Sequence, residues 1–173
     1  MQKAVKYTIF KTKWGYFGLA GTEFGLLRSC LPLARREKVK SQLLQNLPCP
    51  QYDEVLFKAI QGQITAYFDG ACVDFSGDIP IVPEGLSLFA RCVLTACRDI
   101  KFGQTISYGR LAQKAGNLNA ARAVGNALAK NPLPLIIPCH RIVCANGGIG
   151  GFSTAGGKKL KRKLLLHEKQ HLE

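Results

Sequence analysis

The stretch YGRLAQKAGNLNAARAVGNALAK, residues 108–130, decides the fold class of the second half of the chain. It reads as two short helices. The first, over YGRLAQKAG, ends at Gly116; the second, over AARAVGNALAK, is expected to be capped by Asn119 and is ended by Asn131-Pro132. Two short helices joined by a tight turn containing glycine are the signature of a helix-turn-helix. The second helix is unusual for a reader of bases. A helix that reads the major groove offers Arg, Asn, Gln or Ser at several positions. This one offers Ala120, Ala121, Ala123, Gly125 and Ala127, with Arg122 as the one large side chain near its start. Small residues let a helix lie close to a groove, and a lone arginine can wedge into a base stack. The plainer alternative is that the alanines pack against a neighbouring helix.

Charge favours the nucleic-acid reading. The chain of 173 residues carries a net charge of +13. Residues 1–86 hold ten Lys/Arg and eight Asp/Glu, whereas residues 87–173 hold fourteen Lys/Arg and three Asp/Glu. A basic excess gathered into one half is the footprint of a surface that meets a polyanion, although a merely solvated basic face would look the same.

Working outward, LFARCVLTACRDI (88–100) is an amphipathic helix, preceded by the Gly- and Pro-rich FSGDIPIVPEGLS (75–87). The charge balance shifts at the same place, so the sequence predicts two small domains, 1–80 and 87–173, joined by a linker at 81–86. Upstream, YTIFKT, YFGLAGT and GLLRSCL are β-prone segments with the spacing of an antiparallel meander. ARREKVKSQLLQNL (34–47) and VLFKAIQGQITAYF (55–68) read as helices, stopped by Pro48-Cys49-Pro50 and by Asp69-Gly70. The fold class is therefore mixed α/β.

An apolar content of 47% supports a real core, and no run approaches the ~20 apolar residues of a membrane span. MQKAVKYTIF lacks the apolar stretch of a secretory signal, so a soluble, cytoplasmic protein without membrane partners is expected. The seven cysteines are odd in number, and without a signal a disulfide framework is not expected; most of them, Cys92 and Cys97 included, read as core residues. The histidines are confined to 140, 167 and 171 and there is no CxxC pair, so neither a metal nor another cofactor is expected.

The chemistry centres on IIPCHRIVC, residues 136–144. Cys139 beside His140 is either a nucleophile with its base or a small buried hydrophobe, and adjacent side chains seldom face one another. Here a resemblance adds to the residues. YGRLAQKAGNLNAARAVGNALAKNPLPLIIPCHRIVCANGGIGGFS closely resembles the methylated-DNA–protein-cysteine methyltransferases over about residues 87–168, with IPCHRIVC as the most specific part. The first 86 residues resemble that family only in layout, a small antiparallel sheet with helices of the ribonuclease-H-like kind, and the second half would be a helical, winged-helix-like domain.

The resemblance implies direct reversal of DNA damage. A 6-O-alkylguanine would be flipped out of double-stranded DNA, largely without regard to sequence, and its alkyl group moved to Cys139 by a protein acting once and as a monomer. Whether 4-O-methylthymine is also taken is left open. By position, His140 would be the base acting through a water, Glu168 would orient it, and Asn131 would hold the active-site segment against the recognition helix. Tyr108 would donate a proton to the departing guanine. Arg122 would fill the vacated stack on a helix whose Ala120, Ala121, Ala123 and Gly125 lie against DNA. Backbone groups of Cys139, Ile142 and Ser153 would read the base edge, with Phe152 and Thr154 at the rim.

The residues permit that chemistry independently. A free thiol has a pKa near ~8.5 and needs a base or positive surroundings, which His140 and Arg141 offer. A phenol such as Tyr108 is a suitable acid for a leaving base. Family members often have Tyr where Phe152 stands, and usually follow Ser153 directly with two glycines. Here Thr154-Ala155 intervenes, and its β-branched side chain is expected to narrow the entrance. The alternative is a protein that binds DNA lesions, or regulates transcription through its helix-turn-helix, without chemistry; a Cys/His hydrolase is a third reading.

Overall fold

The computed structural model describes residues 4–75, 79–81 and 85–172. They fall into two compact units, one of residues 4–73 with 79–81 and one of 74–75 with 85–172. Part of the expected linker, 82–84, and the last residue of the expected second domain, 173, lie outside the described residues.

In the first unit the three β-prone segments form an antiparallel meander, β1 (Lys6–Thr12), β2 (Gly15–Thr22) and β3 (Gly25–Leu33). The β1–β2 turn needs glycine at position 15: φ is +128° there, and a Cβ would sit 2.6 Å from the Leu33 carbonyl oxygen. A two-residue strand, β4 (Gln51–Tyr52), adds in parallel beside β1 to give the order β3-β2-β1-β4. Helix α1 (Arg36–Leu44) presses Val39 and Leu43 against Tyr7, Ile9, Ala20 and Cys30. Helix α2 (Lys58–Asp69) brings Phe68 to Phe17, with ring centroids 6.1 Å apart. Alternation along the strands thus gives one face to each helix.

The second unit is mostly helical. Helix α3 (Leu88–Arg98) starts at Ser87, whose hydroxyl accepts from the Ala90 N–H, and buries Ala90, Val93, Leu94 and Cys97. Strand β5 (Ile106–Ser107) runs directly into α4 (Tyr108–Lys114), again capped by a serine, Ser107. Helix α5 (Ala121–Ala129) packs with α3 and α4. A 3-10 turn over Cys139–Arg141 leads into β6 (Ile142–Val143), and α6 (Gly157–Gln170) closes the unit. Strands β5 and β6 pair in parallel, Ile106 with Ile142 and Ser107 with Val143. That pairing sets the start of α4, and hence Tyr108, beside the 3-10 turn.

Two expectations are corrected. Asn119 does not cap α5: the capping residue is Ala120, with no side-chain hydrogen bond. The Asn119 N–H instead donates to Asn117 Oδ1 at 3.4 Å, so the earlier asparagine organises the turn. Nor are most cysteines in the core. Cys30, Cys97 and Cys139 are buried, whereas Cys49, Cys72 and Cys92 are exposed. The inward stripe of α3 takes Cys97 and turns Cys92 to the opposite side.

Among the described residues no helix is long and apolar enough to cross a membrane, and no three His, Cys, Asp or Glu side chains are grouped to hold a metal ion.

Candidate active site

Chain direction reverses sharply between α5 and the 3-10 turn, and Asn131 organises the reversal. Its Nδ2 donates to the Ile137 carbonyl at 3.0 Å, while its Oδ1 accepts from the Leu133 N–H at 3.0 Å. Within this loop Leu135 has a φ of +79°, an uncommon conformation for a residue with a Cβ, and Leu133, Leu135, Ile136 and Ile137 are all buried. Apolar burial and the asparagine together hold the strained backbone that delivers Pro138 and Cys139.

Cys139 is 7% exposed and lines a cavity of about 410 Å³. Tyr108, Gly125 and Asn131 form one part of its wall, and Gly151, Phe152, Ser153 and Thr154 another. Gly150 makes the wall possible: its φ is +76°, and a Cβ there would lie 2.6 Å from the Tyr108 hydroxyl. Burial raises the Tyr108 pKa, so the phenol keeps its proton. Burial also raises the Cys139 thiol, opposed by the Asn131 side chain and the charge of Lys161. The resting sulfur is therefore a thiol.

His140 is fully buried behind Cys139, and burial lowers its pKa despite the carboxylate beside it. Its Nε2 lies 2.6 Å from Glu168 Oε1. Burial alone would raise the Glu168 pKa, but His140 and Arg141 outweigh it and pull the carboxyl down to about 2. An ionised Glu168 fixes the tautomer: Nε2 carries the proton and Nδ1 is left as an acceptor. Nδ1 is buried and has no hydrogen-bond partner among the described residues. An orphaned acceptor in this position is the atom that could receive a proton.

Arg141 turns its donors away from the thiol. It is 2% exposed; its Nε donates to Glu168 Oε2 at 3.0 Å, its Nη2 to Oε1 at 3.0 Å, and its Nη1 to the Ile100 carbonyl at 2.5 Å. Asp74 Oδ1, 3.5 Å from Nη1, also accepts from the Phe102 N–H at 2.7 Å, and the Gly103 N–H donates to Glu168 Oε2 at 3.0 Å. The guanidinium is a structural tie. The cation that does act on Cys139 is Lys161, fully buried on α6, with Nζ donating to Ile142 O at 2.5 Å and Gly151 O at 3.1 Å.

The expected residues thus fall into three places. Cys139, Tyr108, Asn131, Phe152, Ser153, Thr154 and Gly125 share the cavity, with His140 and Glu168 behind it. Ile142 is buried and does not line the cavity; its carbonyl is taken by Lys161. Ala121, Arg122 and Ala123 are exposed on α5, while Ala120 is buried at its start. Sequence reading missed Lys161 and Asp74. Lys161 sits in KKLKRK, which looks like a solvated run, yet it is three residues before Leu164 and seven before Glu168, on the inward face of α6.

Residues 88–170 match the family model described as the DNA-binding domain of 6-O-methylguanine DNA methyltransferase. The chain is 36% identical over 160 residues to the methylated-DNA–protein-cysteine methyltransferase of Methanosarcina acetivorans, covering 92% of this chain and 95% of that one. It is 36% identical over 187 residues to the protein of the same name from Cricetulus griseus, covering 95% and 82%. Among solved structures it is similar to OGT of Mycobacterium tuberculosis in complex with DNA, with a TM-score of 0.78 and 31% identity over 96% of this chain and 94% of that one.

Proposed function

The chain belongs to the methylated-DNA–protein-cysteine methyltransferases, and on that premise we propose that it repairs DNA by taking the alkyl group of a flipped-out 6-O-alkylguanine onto Cys139, once per molecule. The observation that carries this is that Cys139 and the Tyr108 phenol line one cavity, while His140, next to Cys139 in the chain, is buried against Glu168.

The buried thiol passes its proton to Nδ1 of His140 through a water as Sγ attacks the alkyl carbon. The Sγ–C bond forms and the O–C bond breaks, with its electron pair passing to guanine. Tyr108, held protonated by burial, donates a proton to the departing base. The products are a thioether and an ordinary guanine, and nothing in the site reverses the thioether. Ser153 places a backbone N–H on the guanine oxygen, and Asn131 keeps the segment that bears Cys139 against the end of α5. Helices α4 and α5 are read as a helix-turn-helix of the winged-helix-like kind, and the sheet unit as ribonuclease-H-like. The protein acts as a monomer on duplex DNA. The test is mass spectrometry after incubation with methylated duplex: the methyl should appear on the protein in one equivalent, and repeated product release would sink the proposal.

Arg122, exposed between Ala121 and Ala123, is the side chain available to fill the stack. Flipping costs roughly a few kcal/mol, and losing about 2 kcal/mol of compensation slows repair about 30-fold. Arg122→Ala should therefore slow reaction with methylated duplex by about 30-fold and leave reaction with the free modified base unchanged. Equal losses on both would assign Arg122 to folding or to the cavity.

Thr154 lines the cavity, its Oγ1 is buried without a hydrogen-bond partner among the described residues, and its carbonyl accepts from the Gly157 N–H at 2.9 Å. A stiff side chain pinned by this turn narrows the entrance. Benzylguanine should react sluggishly while methylguanine reacts fast, and deleting Thr154-Ala155 should raise the benzylguanine rate about tenfold or more. An unchanged rate after deletion would refute the narrow rim.

A further inference from the structure

Helix α6 holds six Lys/Arg and one carboxylate over Gly157–Gln170, and that carboxylate, Glu168, is buried against His140 and Arg141. Lys161 is buried too, but Lys158, Lys159, Arg162, Lys163 and Lys169 are exposed. Lys158 and Arg162 are four residues apart, as are Lys159 and Lys163, so like charges stand one turn above one another and repel. Lys158 and Lys159 also occupy the first turn, where the helix dipole favours anions and where this helix has no acidic residue. Among the described residues no carboxylate pairs with Lys158, Lys159 or Arg162. The helix forms against its own charge because its other face buries Leu164, His167 and Glu168. An external anion would relieve the repulsion.

Position says which anion. Lys158 lies four residues beyond Thr154, and the Gly157 N–H donates to the Thr154 carbonyl, so the cavity wall turns directly into the charged stripe. We propose that Lys158, Lys159 and Arg162 form a second contact with the phosphate backbone of the duplex whose base enters the cavity, in addition to that made by α5. From Lys158 to Arg162 the helix rises about 6 Å, over which duplex DNA presents about three to four phosphate charges. The proposal rests on the DNA-repair reading.

The test is Lys158→Gln/Lys159→Gln/Arg162→Gln in the full chain, with affinity for methylated duplex measured across a salt series. Each released counterion contributes about 0.9 to the slope of log affinity against log salt, so the slope should fall by about two to three. Reaction with the free modified base should be unchanged, and the thermal midpoint should hold or rise as the repulsion goes. Lys158→Arg/Lys159→Arg should keep the wild-type slope. A wild-type slope in the triple variant overturns the second contact, as does a lowered midpoint, which would make the stripe structural. Salt-sensitive binding of the wild type to phosphatidylserine vesicles, lost in the triple variant while the duplex slope is kept, would assign the stripe to a membrane surface instead. Failure of the wild type to react with methylated duplex would sink the repair reading itself, and is distinct from all of these.

Discussion

Cys139→Ser is expected to abolish alkyl transfer, by on the order of 10⁴-fold or more, while duplex binding persists. A serine hydroxyl is a far weaker nucleophile than a thiolate, and one neutral imidazole does not make up the difference when the attacked centre is an alkyl carbon. The companion result is the position of the label. After reaction with methylated duplex, peptide mapping should place the methyl on Cys139 and on no other cysteine. Accessibility argues the other way, because Cys49, Cys72 and Cys92 are exposed and Cys139 is buried. A merely reactive thiol would be one of those three, or Cys144, which is half-buried. Label on any of them would show that the reaction follows exposure and not the cavity.

Glu168→Gln is expected to cost about 3 kcal/mol of stability, the order found when one partner of a buried charge pair is removed. Glu168 is 1% exposed and receives hydrogen bonds from His140, Arg141 and the Gly103 N–H. A glutamine can still accept from His140, but its NH₂ group would meet the Arg141 guanidinium donor against donor. The effect has a pH signature. The Glu168 carboxyl is lowered from its ordinary 4.5 to about 2 in the folded protein, so its contribution is complete above about 4.5 and is lost as pH falls toward 2. The gap between wild-type and variant thermal midpoints should be full at pH 7 and close progressively between pH 4.5 and pH 2. A gap that stayed constant across that range would mean that Glu168 stabilises by packing and not by charge.

Local pattern made much of the fold legible. The meander of β1 to β3, the helices and the stop at Gly70, which has a φ of +106°, follow from alternation, helical periodicity and turn residues. The pairings of β4 with β1 and of β5 with β6 could not be read, because two-residue strands carry no period and are fixed by what lies beside them. At the site, Cys139 and His140 are adjacent in sequence, but their side chains are used on different sides: the sulfur at the cavity, the imidazole toward α6. The donors of Arg141, expected to sit by the thiol, are taken up by Glu168, Ile100 and Asp74, the last 67 residues away. No local spacing announces a partner at that distance. Lys161 was within reach of helical periodicity, and the run of cations around it obscured the signal.

The glycine-rich wall also decides where this enzyme can change by mutation. At Gly150 both the positive φ and the 2.6 Å approach to the Tyr108 hydroxyl exclude a side chain. Among the described residues, a Cβ at Gly151 would meet nothing within 4 Å, and one at Gly125 would touch only the Tyr108 ring at 4.0 Å. Both positions line the cavity. Single substitutions at 125 and 151 can therefore reshape the space above the sulfur while the fold stands, and at 125 an alanine would even favour the helix. An allele altered at 150 would lose the phenol's seat at once. Heritable or engineered variation in alkyl-group range is thereby channelled through two permissive positions, 125 and 151, while the glycine at 150 stays fixed.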